Sequence, residues 1–162
     1  VERCPTGALH HQRLDGGAAE QPDVENSVLV SSDGPLYLRG ELELMGAYNR
    51  VALHETRLSL CRCGHSRTKP YCDGSHIAAG FKDRAVAPAE RREPLKDDAP
   101  LGGSLRIEAT ENGPVVLRGN LRLMDATGEV VAQMSRCILC RCGQSKEKPF
   151  CDGTHQTIDF TS

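Results

Sequence analysis

Apolar residues alternate with polar ones along two nine-residue stretches of the chain. In residues 36–44 the apolar or small residues fall on every second position, and residues 115–123 repeat the pattern. A period of two over nine residues predicts a half-buried β-strand. Shorter apolar runs at 28–30 and 105–109 precede each stretch and are separated from it by a Gly-Pro turn. We therefore expect two strand pairs, each followed by a strand that leads into a cysteine-rich segment.

The two stretches belong to an internal repeat. Leu38-Arg39-Gly40 matches Leu117-Arg118-Gly119, and all other matched positions have the same offset of 79 residues without a gap, so that Phe81 pairs with Phe160. We divide the chain into an N-terminal extension (1–23), a first module (24–83), a linker (84–102) and a second module (103–162).

The modules are too small to bury their strand faces alone. Aromatic residues make up only 4% of the chain and tryptophan is absent, so the core must consist of Leu, Val and Ala. We therefore predict a β-rich, small α+β chain in which the modules pair about a pseudo-twofold axis. The linker is charged and carries Pro88, Pro94 and Pro100, which predicts a segment that lies over the surface.

Each module ends in three cysteines and one histidine with the spacing C-x-C-x8-C-x3-H. The candidate ligands are Cys61, Cys63, Cys72 and His76 in the first module and Cys140, Cys142, Cys151 and His155 in the second. Thiolate and imidazole groups packed so closely indicate a metal site. A short helical turn is expected after each histidine, ending near Phe81 or Phe160.

The spacing alone leaves the metal open. Structural zinc sites usually pair their cysteines as C-x2–4-C, whereas the first pair here is C-x-C. A two-iron cluster would take two thiolates on one iron and the third thiolate with the histidine on the other. Histidine ligation of one iron is known from Rieske centres.

Both segments resemble the signature of the CDGSH iron–sulfur family, C-x-C-x2-[ST]-x3-P-x-C-D-G-[SATC]-H, at every position. The resemblance covers about residues 24–83 and 103–162. It implies that the eight candidate ligands bind two [2Fe–2S] clusters, each through three cysteines and one histidine. It also implies that the two modules of this one chain are arranged like the two protomers of a mitoNEET-like dimer, with a β-cap and two cluster-binding loops.

Three companions of the ligands have physical roles available, with ordinary turn chemistry as the alternative. An Asp precedes each Gly-[Ser/Thr]-His as an N-cap would, a hydroxyl could donate to cluster sulfurs, and a proline fixes φ before the third cysteine. These residues are Asp73, Ser66 and Pro70, with Asp152, Ser145 and Pro149 in the second module.

The cluster segments also carry positive charge. The cations are Arg62, Arg67 and Lys69 in the first module and Arg141, Lys146 and Lys148 in the second. They could complement an anionic cluster or an acidic redox partner, and the alternative is a plain solvated loop.

The other two cysteines receive no ligand role. Cys137 replaces Leu58 in its strand and is expected to be a small buried residue. Arg3-Cys4-Pro5 resembles the closing end of a bacterial ferredoxin ligand run, so Cys4 is either a remnant of a ferredoxin-like domain or an incidental surface thiol. Residues 10–23, with His10-His11, are expected to form a flexible lead-in.

Charge and composition restrict the function further. The net charge of −2 argues against nucleic-acid binding, and no apolar run reaches the length of a membrane span. Free thiolates fit a reducing compartment, so we expect a cytoplasmic protein. We also expect it to be prokaryotic, and to be a monomer with an internal pseudo-dimer.

Three functions remain, and none of them is catalytic. The first is a soluble [2Fe–2S] protein for electron transfer or for cluster storage and transfer, working with a redox partner or an apo iron–sulfur acceptor. The second is a redox or iron sensor, and the third is a zinc-binding structural or interaction module.

Overall fold

The structure is a computed structural model, and it describes residues 4–6, 14–15, 17, 20–46, 48, 50–88 and 100–162. The His10-His11 pair and most of the linker lie outside the described residues. Each module contributes three strands and one short helical turn. The strands are β1 (Ser27–Val30), β2 (Leu36–Met45), β3 (Val51–Leu60), β4 (Leu105–Ala109), β5 (Val115–Met124) and β6 (Val130–Leu139). The helical turns are α1 (Ser75–Ala78) and a 3₁₀ helix (Thr154–Gln156).

The predicted strands are confirmed within one residue of their expected ends. In β2 the side chains alternate between buried and more exposed positions along the whole strand, as the sequence pattern requires. Gly40 and Gly119 interrupt the two long strands with φ of 131° each. The register shifts there between β2 and β3 and between β5 and β6, so each glycine forms a β-bulge that a side chain would strain.

The two modules exchange strand contacts about a pseudo-twofold axis. Strand β1 pairs antiparallel with the first half of β2 and parallel with the second half of β5. Strand β4 correspondingly pairs antiparallel with the first half of β5 and parallel with the second half of β2. Ser27 lies opposite Arg122, and Arg106 lies opposite Glu43. These two pairs occupy equivalent positions, because Ser27 corresponds to Arg106 and Glu43 to Arg122 in the repeat. The predicted β-rich pseudo-dimer is thereby confirmed.

One hydrophobic core serves both modules. Leu38 and Leu42 of the first module and Leu117 and Leu121 of the second belong to the same buried cluster. Cys137 is also buried in it, opposite Leu117, and so replaces Leu58 as expected. The strand faces that neither module could cover alone are buried by the exchange.

Two segments are packed more tightly than the sequence predicted. In the linker, Ala85 and Ala87 are buried in the core, so its first residues do not merely lie over the surface. In the N-terminal extension, Glu20 forms an ion pair of 2.8 Å with the fully buried Arg57. The described end of the extension is therefore anchored to β3, and the prediction of a flexible lead-in is wrong there. A buried guanidinium requires a countercharge, and the sequence did not show that Arg57 would be buried.

Within the described part of the chain, no helix is both long and apolar enough to cross a lipid bilayer.

Candidate metal centres

The first ligand cysteine of each module directly follows a strand, β3 in the first module and β6 in the second. Cys61 follows β3, and its N–H donates to the carbonyl of Pro70 at 2.8 Å. Cys72 is held beside it because its own N–H donates to the Ser59 carbonyl of β3 at 3.0 Å. Each module thus folds its proline segment back along the end of a strand. This brings together Cys61 and Cys72, which are separated by ten residues in the sequence.

The second module repeats this arrangement. The Cys140 N–H donates to the Pro149 carbonyl at 2.9 Å, and the Cys151 N–H donates to the Ile138 carbonyl at 3.1 Å. The peptide bonds before Pro70 and Pro149 are both cis. The two candidate centres therefore have the same backbone framework.

The eight candidate ligands form four close pairs. In the first module, 3.7 Å separates the sulfurs of Cys61 and Cys63, and 3.5 Å separates the Cys72 sulfur from Nδ1 of His76. In the second module the matching distances are 3.6 Å for Cys140 and Cys142 and 3.4 Å for Cys151 and His155. Each module therefore has one thiol pair and one thiol–imidazole pair.

These distances fit two ligands on one metal atom. Two sulfurs that are each about 2.3 Å from a tetrahedral metal lie about 3.8 Å apart, and a sulfur and a nitrogen on the same metal lie about 3.6 Å apart. Within the described residues, however, no three Cys, His, Asp or Glu side chains are grouped closely enough to hold one ion. The residues of each module thus fit a centre with two metal atoms, each held by one pair.

The two pairs of a module differ in burial. Cys61 and Cys63 are buried, whereas Cys72 and His76 are partly exposed. The second module shows the same difference between its first two cysteines and the Cys151–His155 pair. Each centre therefore has a protected thiol end and an imidazole end that solvent and partners can reach.

Backbone N–H groups surround the inner thiols. The hydrogen bond from the Cys63 thiol lowers the pKa of Cys61, and the N–H groups of Ser66 and Gly64 lower it further. The same thiol–thiol hydrogen bond raises the pKa of Cys63. Burial raises the pKa of Cys72. The two inner thiols of the first module therefore have pKa shifts in opposite directions, and a bound cation would stabilise the thiolate form of each.

For the two serines, donation to cluster sulfurs is wrong and the alternative of ordinary turn chemistry is confirmed. The Ser66 hydroxyl donates to the Tyr71 carbonyl at 2.6 Å and accepts from the Thr68 N–H at 3.1 Å. Ser145 makes the matching bond to the Phe150 carbonyl at 2.7 Å. The single hydroxyl proton is therefore engaged with the backbone. Both serines hold the shape of the loop instead of donating to a cluster.

The predicted N-cap role of the two aspartates is also wrong. Gly74 and Gly153 occupy the N-cap positions, with left-handed backbone conformations. The Asp73 carboxylate instead accepts the N–H groups of Ser75 at 3.0 Å and Arg67 at 2.9 Å. A hydrogen bond from the Ser75 side chain and these N–H groups hold the pKa of Asp73 well below its usual value. Asp73 thereby ties the histidine turn to the cluster loop.

The loop cations divide into two groups. Arg67 and Lys146 are exposed, as a solvated loop would have them. Arg62 and Arg141 are buried, with relative exposures of 1% and 4%, so the solvated-loop alternative is wrong for these two. Burial lowers the pKa of Arg141, although the negative charge of the Cys61 thiolate opposes this.

Sequence reasoning missed the contact between the two loops. Cys63 and Cys142 pair across the pseudo-twofold axis as an antiparallel bridge. A side chain at Gly143 would approach the Cys63 carbonyl oxygen to 2.5 Å, and one at Gly64 would approach the Cys142 carbonyl oxygen to 2.7 Å. The sequence signal for this close approach is the glycine that follows the second cysteine in both modules.

Fold and site together define a β-rich protein with two repeated sets of three cysteines and one histidine. The chain matches the family described as the iron-binding zinc finger of the CDGSH type, at residues 33–77 and 112–156. The two matches cover more than half of the 162 residues, and the chain belongs to this family. This membership supports an iron–sulfur-binding protein. No curated protein matches the chain.

Proposed function

We propose that each module binds one [2Fe–2S] cluster through three cysteines and one histidine. The proposal is carried by the division of each ligand set into two pairs, at 3.7 Å and 3.5 Å in the first module. Two irons that each need two protein ligands account for this division. The proposed ligands are Cys61, Cys63, Cys72 and His76 for one cluster and Cys140, Cys142, Cys151 and His155 for the other.

A single zinc ion is the competing occupant. Structural zinc needs four ligands around one ion, and the described residues contain no group of three that meets this requirement. Zinc binding would therefore require each thiol–imidazole pair to move onto the thiol pair. The backbone hydrogen bonds at Cys61 and Cys72 oppose such a movement, because they tie Cys61 to Pro70 and Cys72 to Ser59 of β3.

The proposed role is electron transfer or the storage and delivery of clusters, without catalysis. A bound [2Fe–2S] cluster supplies one-electron redox chemistry. The buried thiol pair would retain the cluster, while the partly exposed Cys72 and His76 would give a partner access to it. The exposed cations Arg67 and Lys146 suit an acidic redox partner or an apo iron–sulfur acceptor.

The loop contact supports a joint function of the two centres. Residues paired in an antiparallel bridge have Cα atoms about 4.5–5.5 Å apart, and here the pair consists of Cys63 and Cys142. One proposed ligand of each cluster therefore lies next to one of the other. We infer that an electron accepted by either cluster can pass to its neighbour.

Metal analysis and a visible absorption spectrum test the proposed cofactor. Anaerobically purified protein should be coloured and should contain iron and inorganic sulfide, because thiolate-bound iron absorbs visible light and d¹⁰ zinc does not. The double variant Cys72→Ser/Cys151→Ser is the control and should lose the colour while keeping its β-sheet signal in circular dichroism. A colourless wild-type protein with one zinc per module would refute the proposal.

A transfer assay tests the proposed role. The loaded protein is mixed with an apo-ferredoxin of the [2Fe–2S] type, and the acceptor is then separated and analysed for iron. Cluster delivery predicts iron in the acceptor and loss of colour from the donor. Electron transfer alone predicts that both clusters stay in place while they are reduced and reoxidised repeatedly. A protein that does neither would contradict both roles.

A further inference from the structure

The internal repeat provides a matched comparison of the two buried arginines. Arg62 and Arg141 hold the same position in their loops, and the Nε of each donates to a turn carbonyl at 3.0 Å, Gly34 or Gly113. Each guanidinium also lies over a phenylalanine ring, Phe81 at 5.0 Å or Phe160 at 5.7 Å. The two arginines should therefore need the same countercharge.

Only the first module supplies it as a carboxylate. Arg62 forms an ion pair with Asp83, whose side chain is largely buried. The residue at the repeat position of Asp83 is Ser162, and Arg141 donates to its hydroxyl instead. Within the described part of the chain Arg141 forms no ion pair. A buried guanidinium without a carboxylate partner is costly.

A second cation lies close to Arg141. Lys69 comes from the cluster loop of the first module, and its ammonium lies 6.0 Å from the ring of Phe160, the ring that Arg141 also contacts. Its repeat partner Lys148 turns back to its own loop and donates to the Ser145 carbonyl at 2.5 Å. Two positive charges therefore meet at the ring of Phe160.

A cavity of about 260 Å³ opens beside these two cations. Its wall includes Lys69, Arg141 and the residues Thr110 and Ser162, which both carry hydroxyl groups. Glu111 also borders it, but this carboxylate makes no ion pair with either cation among the described residues. The Thr110 hydroxyl donates to the Pro114 carbonyl at 2.8 Å, which leaves the Ser162 hydroxyl as the donor beside the two cations. A guanidinium, an ammonium and a hydroxyl donor around one space are groups that bind phosphate oxygens.

We propose that the cavity between Lys69 and Arg141 is a binding site for a small oxyanion of the phosphate type. The anion occupies the place that the Asp83 carboxylate takes beside Arg62 in the first module. The site lies where the first module's loop meets the second module, so a bound anion also ties the two modules together.

Isothermal titration of the purified holoprotein with inorganic phosphate, at fixed ionic strength in a non-phosphate buffer, tests the site. The wild type should bind one phosphate per chain. Ser162→Asp should abolish binding, because its carboxylate supplies the missing countercharge. Ser162→Asn is the matched control with a similar size and no charge, and it should retain binding. Lys69→Gln should weaken binding by at least tenfold.

Equal metal content and the same circular dichroism spectrum establish that each variant is folded. If Ser162→Asp does not fold, the loss of affinity in Lys69→Gln remains as the test. Absence of phosphate binding to the wild type would overturn the proposal, as would equal affinity in Ser162→Asp. Acetate serves as the probe for a carboxylate from a partner protein. Acetate binding without phosphate binding would also overturn the assignment to phosphate.

Discussion

Gly143→Ala probes the contact between the two cluster loops. The Cβ of the new alanine would lie 2.5 Å from the carbonyl oxygen of Cys63, a backbone atom that has no flexible side chain to move. Gly143 also has φ of 78°, a conformation that side chains disfavour. A substitution in the second module thus acts directly on a candidate ligand of the first.

The expected loss of stability has two parts. The left-handed conformation costs roughly 1–2 kcal/mol for a residue other than glycine, and forcing an extra carbon into a packed site costs about 1–3 kcal/mol. We therefore expect Gly143→Ala to lower the free energy of unfolding by about 2–5 kcal/mol. Gly128→Ala is the matched control, because Gly128 has φ of 87° but no atom within 4 Å of its Cβ position. The control should lose only about 1–2 kcal/mol.

Thermal unfolding at a fixed scan rate measures this difference, since 1 kcal/mol corresponds to about 2–4 °C for a chain of this size. Iron content then tests the effect on the ligands. In a Cys151→Ser background, where only the first ligand set is complete, Gly143→Ala should still reduce bound iron. Equal unfolding temperatures for Gly143→Ala and Gly128→Ala, with unchanged iron, would refute the role assigned to the loop contact.

Three further predictions concern the proposed clusters. The intact chain should hold about four iron and four inorganic sulfide, because both ligand sets are complete, and elemental analysis of Cys72→Ser should show half of each. The reduction potential should lie above the roughly −400 mV of all-cysteine clusters, since a neutral imidazole leaves the cluster less anionic; a redox titration at or below that level would contradict the ligand set. Absorbance should decay faster at pH 5.5 than at pH 8, because protons compete for the ligating imidazole and free histidine has a pKa of about 6.5. His76→Cys and His155→Cys should slow that decay, and equal rates at both pH values would remove histidine from cluster release.

The strands and the pairing of the two modules were accessible from the sequence, but the exchange of β1 and β4 between the modules was not. Alternation along residues 36–44 and 115–123 reports which face of a strand is buried, and the repeat indicates that two equal faces must cover each other. The ligand pairs were also accessible, because C-x-C and C-x3-H place two donors close together on a short length of chain. These features depend on local spacing, which a sequence displays directly.

The side-chain networks were not accessible in the same way. Whether Ser66 donates to a cluster or to the Tyr71 carbonyl depends on where the proline segment folds back. Whether Arg62 is solvated or buried depends on Asp83, which is 21 residues away in the chain. Arg57 is buried by Glu20 and Cys4 of the N-terminal extension, which the repeat does not contain. Such contacts depend on tertiary placement, and identical residue types adopt either role.

Pulsed electron paramagnetic resonance of the reduced protein, labelled with ¹⁵N-histidine, tests the central claim most directly. The account predicts that each reduced cluster couples to one histidine nitrogen, and that the signal persists at half intensity in His76→Cys and disappears in the His76→Cys/His155→Cys double variant. A wild-type cluster without a coupled histidine nitrogen, or a coupling that survives the double variant, would contradict the assignment of one imidazole and three thiolates to each centre.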